Sequence, residues 1–142
     1  MQEAGITKEA GLQQMQTYTA DETFRFVQDM VTAHHDMRGL FIETDQPTLG
    51  ALRALHAARK EGDILVAAFD GIPDFIKLIE SGAIVASGMQ QPYLMGQRSA
   101  QAMLDHLAGK KPEKQILVPI LVVSKENVKQ LEATVRKTVF GE

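Results

Sequence analysis

MRGLFIE (37–43), DILVAAF (63–69) and AIVASGM (83–89) are three short apolar runs, separated by QPTLGALRALHAARK (46–60) and PDFIKLIES (73–81). The apolar runs have the length and composition of strands buried on both faces, and the intervening segments have helical spacing. Strand–helix–strand alternation at this pitch implies right-handed crossovers and an α/β fold, a doubly wound parallel sheet. Each strand ends in polar residues: Glu43-Thr44-Asp45, Asp70-Gly71 and Gln90-Gln91-Pro92. Ligands of such sheets bind beyond the carboxyl ends of the strands, so that edge is where function is expected.

Outward from this stretch the pattern continues. LQQMQTY (12–18) alternates imperfectly and is expected to form a first strand, with residues 1–10 a helix tail or loose end. Asp21 is placed to cap a helix whose apolar face is Phe24, Val27, Met30 and Val31. Helix 47–60 has Pro47 in its first turn and Leu49, Leu52 and Leu55 as its buried stripe. Pro73 opens a helix with Phe75, Ile76 and Ile79 inward, and Pro92 opens another, 93–108, with Gly96, Ala100, Met103, Leu104 and Leu107 on one face. ILVPILVV (116–123) is the most hydrophobic run, and Pro119 within it argues for an edge strand or a bend. Ser124 caps a final amphipathic helix through Val128, Leu131 and Val135. Five strands and five helices are expected.

Length and composition bound the function. The 142 residues suit one domain with a real core, and 44% hydrophobic with 23% charged residues is ordinary for a soluble globular chain. A net charge of −3 without a basic run argues against a nucleic-acid partner. Without cysteine there is neither a disulfide nor a thiolate nucleophile. No apolar run approaches the ~20 residues of a membrane span, and MQEAGITKEAG does not read as a signal peptide. No phosphate-cradling glycine loop or nucleophile elbow is present, and the four histidines, 34, 35, 56 and 106, lack metal-ligand spacing. No enzyme activity, cofactor or metal is expected.

What remains is the polar edge. An Asp-Gly after a strand is most often turn chemistry, but Asp70 there can also accept paired hydrogen bonds from a ligand's hydroxyls. Asp45 can merely cap a helix, Gln90 can bond the backbone, and Tyr18 can cover the core. Four such residues at successive strand ends carry more weight than any one. Carboxylate, amide and aromatic groups together suit a neutral polyol or sugar.

The run T-D-x-x-x-L-G-A-L-R-A-L, the F-D-G-x-P-D turn and the A-x-x-x-Q-Q-P-x-x-M-G segment strongly resemble the sugar-binding proteins of bacterial ABC importers, of the ribose-binding type. The resemblance covers about residues 11–128. It implies two Rossmann-like lobes with sugar between them, this chain being the second lobe, and a periplasmic location. It implies that Tyr18 stacks on the ligand and that Thr44, Asp45, Asp70 and Gln90 contact it, Thr44 standing where relatives usually carry Asn. It further implies that residues 92–112 are the crossover helix segment that packs on the first lobe. Without that lobe the helix should pair with another copy, as a homodimer, fold back, or stay exposed. The full-length form would deliver a monosaccharide or polyol to ABC importer membrane subunits. Two other readings are weighed. The effector core of a lactose-repressor-type regulator shares the two-lobe fold, but Q-Q-P-x-x-M-G favours the importer. A receiver-like switch with Asp70 as phosphoacceptor beside Asp45, Ser87 and Lys125 lacks the acidic pair that Mg²⁺ needs.

Overall fold

The computed structural model describes residues 8–142, and these divide into two compact units, residues 8–68 and 69–142. The expectation for residues 1–10 lies largely outside the described residues. The described residues form four strands and five α-helices, so the fold class is α/β.

The first unit begins with α1 (Ala20–Ala33), then β1 (Gly39–Ile42), α2 (Asp45–Ala57) and β2 (Leu65–Phe69), whose last residue falls in the second unit. Strands β1 and β2 run parallel, with Gly39 opposite Leu65 and Ile42 opposite Ala68. This is the crossover that strand–helix–strand alternation implies. Val27 and Met30 of α1, Ala54 and Leu55 of α2, and Ile42 and Val66 of the strands share one apolar core. The expected stripe of α2 is rotated: Leu55 is fully buried, but Leu49 and Leu52 are only half-buried, while Pro47, Thr48, Gly50, Ala51 and Ala54 are buried. The reason is close approach. A Cβ on Gly50 would fall 2.0 Å from the Ala20 carbonyl oxygen, so the helices meet through small residues rather than leucines.

The second unit contains α3 (Asp74–Ser81), β3 (Ala86–Met89), α4 (Pro92–Leu107), β4 (Leu121–Ser124) and α5 (Val128–Val135), which continues into a π-helical turn, Arg136–Phe140. Its core holds Phe75, Ile79, Ile84, Met89, Val123, Val128 and Val135. Gly82 stops α3 at φ 85°, a conformation glycine enters without a Cβ penalty. Strand β4 lies at the end of the strand order. It pairs antiparallel to β3, with Leu121 opposite Met89. The chain therefore leaves the sheet at Met89 and re-enters directly opposite, so residues 90–120 form an excursion from one edge. Helix α4 sits on that excursion and buries none of its residues completely.

Two expectations are corrected. Residues 12–18 form no strand, and Pro119 lies before β4 rather than within it, so only 121–123 of the most hydrophobic run pairs. Cap positions also differ. Thr19 rather than Asp21 caps α1, accepting the Glu22 N–H at 3.2 Å, and Asn127 rather than Ser124 precedes α5, its Oδ1 accepting the Ser124 N–H at 2.8 Å.

Candidate functional site

Tyr18, Thr44 and Asp45 belong to the first unit. Tyr18 is 49% exposed and stands in a turn, not at a strand end. Its φ of 54° is unusual for a residue with a Cβ. Glu22 explains how the turn is held: its carboxylate accepts the backbone N–H groups of Gln16 at 2.7 Å, Thr17 at 2.8 Å and Tyr18 at 3.1 Å, and the Thr17 hydroxyl at 2.7 Å. These bonds, led by that from Gln16, hold the Glu22 carboxyl below its ordinary value of 4.5, because each favours the charged form. Thr19-x-x-Glu22 is a capping box whose acid reaches further back than usual. That spacing is visible in the sequence, and it is the signal for Glu22 that the reading of strand 12–18 obscured.

Thr44 and Asp45 follow β1 directly. Thr44 is extended and precedes α2, its carbonyl accepting the N–H and the hydroxyl of Thr48 at 3.2 Å and 2.7 Å. Asp45 is the first residue of α2, where a carboxylate is favoured by the helix dipole. Both side chains are half-buried.

Asp70 and Gln90 belong to the second unit and are brought into direct contact. Gln90 Nε2 donates to Asp70 Oδ1 at 2.5 Å. Asp70 lies just beyond β2 with φ 67°, and Gln90 just beyond β3, so both stand at carboxyl ends of strands. The backbone of Asp70 is pinned on both sides: its N–H donates to the Gly88 carbonyl at 3.0 Å, and its carbonyl accepts the Ser87 hydroxyl at 2.6 Å. Next in the chain, Gln91 is buried and its Nε2 donates to the Pro119 carbonyl at 2.7 Å, tying the start of α4 to the returning segment. A cavity of about 220 Å³ adjoins this place, lined by Gln90, Gln91, Met95, Arg98 and Ser99 and by Ile116, Leu117, Val118 and Ile120. Gln91 was invisible as a tether because its partner is 28 residues away and is a carbonyl of no special residue type.

A carboxylate beside a carboxamide supplies paired acceptors and a donor, the set that neighbouring hydroxyls on a sugar ring require. Among the described residues no group of three or more His, Cys, Asp or Glu is arranged to hold a metal ion, and no helix is long and apolar enough to cross a membrane.

The periplasmic binding protein domain model matches residues 2–111. The chain belongs to that family. It is 35% identical over 100 residues to the ribose import binding protein RbsB of Escherichia coli strain K12, covering 70% of this chain and 33% of that protein. The RbsB of Bacillus subtilis strain 168 is 36% identical over 94 residues, covering 66% and 30%. Among solved structures, an ABC transporter solute-binding protein from Agrobacterium vitis with bound D-fucose superposes with a TM-score of 0.75 at 28% identity, over 82% of this chain and 40% of that one. This periplasmic binding protein domain therefore spans about a third of the length of the curated relatives it matches.

Proposed function

We propose that this chain is the second, C-terminal lobe of a sugar-binding component of an ABC importer. Its ligand is a monosaccharide or related polyol, contacted by Asp70 and Gln90. The observation that carries the reading is the Gln90–Asp70 contact at 2.5 Å, a carboxylate and an amide held together beyond two strand ends. The names of the relatives support it: the Escherichia coli protein is a ribose import binding protein, and the Agrobacterium vitis structure holds D-fucose. The role is binding rather than catalysis. The working location is the periplasm, and the membrane subunits of the importer are the partners of the complete two-lobe form.

Residues 92–112 are the crossover segment in this reading. On α4, Met103, Leu104 and Leu107 are 59%, 60% and 75% exposed, an apolar surface that a companion lobe covers in the two-lobe form. For the chain alone, a second copy is the cover, giving a homodimer.

Heteronuclear NMR titration with D-ribose, D-allose and D-fucose tests the binding role. One lobe offers one side of a cleft and no closure, so millimolar or weaker affinity is expected, read as shifts of the Gln90 side-chain amide and the Asp70 backbone amide. Asp70→Asn should abolish them. Shifts confined to other residues, or unchanged in Asp70→Asn, would overturn the assignment.

A further inference from the structure

We propose that Ser87 is a positioning residue for the Asp70 carboxylate; this rests on the sugar-binding reading of Asp70. Asp70 has a φ of 67°, in the left-handed region that a residue with a Cβ enters only when its surroundings impose it. The constraint comes from two adjacent residues of β3. The Gly88 carbonyl takes the Asp70 N–H at 3.0 Å, and the Ser87 hydroxyl donates to the Asp70 carbonyl at 2.6 Å. A backbone group held at each end fixes the rotation of the residue between them. The Cα–Cβ bond then leaves the turn in one direction, and from it Oδ1 accepts the Gln90 Nε2 hydrogen bond at 2.5 Å.

Ser87 is not a bystander that found a convenient acceptor. It is 1% exposed, in the middle of a four-residue strand, where an apolar side chain would suit the core. A hydroxyl in such a place needs a partner, and its hydrogen bond goes to the main chain of the candidate ligand-binding residue 17 positions earlier. Gly88 fits the same arrangement. A Cβ there would come 3.0 Å from the ring of Phe69, the residue immediately before Asp70, so any larger residue would press on that ring where the strand lies against the turn.

The test compares Ser87→Ala, Ser87→Thr and Ser87→Cys by NMR, with and without D-ribose. The left-handed conformation at Asp70 is read from its strong intraresidue HN–Hα cross-peak, and the site from the ribose-induced shift of the Gln90 side-chain amide. Ser87→Ala should weaken the Asp70 cross-peak and lower ribose affinity about tenfold, the loss of one hydrogen bond's worth of ordering. Ser87→Thr, which keeps the hydroxyl, should restore both, and Ser87→Cys, which keeps the volume with a weak donor, should resemble Ser87→Ala. Ser87→Ala retaining the cross-peak and the wild-type ribose response overturns the inference. Loss in Ser87→Thr equal to that in Ser87→Ala also overturns it, because packing rather than the hydroxyl would be responsible. If wild type shows no ribose response while Ser87→Ala still releases Asp70, the sugar-binding reading fails and Ser87 holds the turn for another purpose.

Discussion

Two glycines on two helices should respond to the same substitution with opposite signs. Gly50 is buried in α2, where a Cβ would meet three backbone atoms of Ala20: the oxygen at 2.0 Å, the carbonyl carbon at 2.7 Å and Cα at 2.8 Å. Carbon–oxygen contacts settle near about 3.3–3.6 Å, so α1 and α2 would have to separate by roughly 1 Å or more. Overpacking of this kind costs about 1–3 kcal/mol, and backbone cannot rotate aside as a side chain can. Gly→Ala inside a helix gains roughly 0.5–1 kcal/mol from propensity, which offsets only part of that cost. The net loss is about 1–2 kcal/mol, or roughly 3–8 °C in melting temperature for a chain of this size. Gly96, inside α4, has no neighbouring atom within 4 Å of where a Cβ would sit. Gly96→Ala should therefore keep the propensity gain whole and raise the melting temperature by about 2–4 °C. Circular-dichroism melts of both variants at one protein concentration decide the matter. A higher melting temperature for Gly50→Ala, or a shift of the same sign in both, would refute the argument from helix approach.

Two further outcomes are expected. The Glu22 carboxyl is held below 4.5 in the folded chain, so its stabilising contribution is complete above about pH 4.5 and is lost as the pH falls through the lowered value. As the pH falls below about 4.5 wild type should lose more stability than Glu22→Gln, by denaturant titration at stepped pH, and equal losses would show that the Gln16–Tyr18 turn does not depend on that charge. Leu104 is 60% exposed on α4, and light scattering at micromolar concentration should show a dimer that Leu104→Asp dissociates. A wild-type monomer, unchanged by the substitution, would remove the second copy as the cover for α4.

The three strands and two helices between residues 37 and 91 were legible in the sequence because their evidence is local: apolar runs of strand length, helical periodicity, and Pro47, Pro73 and Gly82 at element ends. Asp70 and Gln90 were legible as candidates for the same reason, as polar residues that end apolar runs. What the sequence did not disclose depends on partners outside the local pattern. Tyr18 reads as the end of an alternating strand, yet Glu22 gathers three successive backbone N–H groups and makes a turn of the same residues. Leu49 and Leu52 satisfy the helical stripe of α2, yet the approach of Ala20 to Gly50 turns its smaller residues inward. The direction of β4 depends on where the chain re-enters after residues 90–120, and no periodicity within LVVS encodes that. Composition and spacing determined which residues could form strands, helices and a polar edge, because hydrophobic burial and backbone geometry act over a few residues. Tertiary structure decided how Asp70 is held, because its backbone bonds run to Ser87 and Gly88 across the sheet and only folding brings those groups within hydrogen-bond reach.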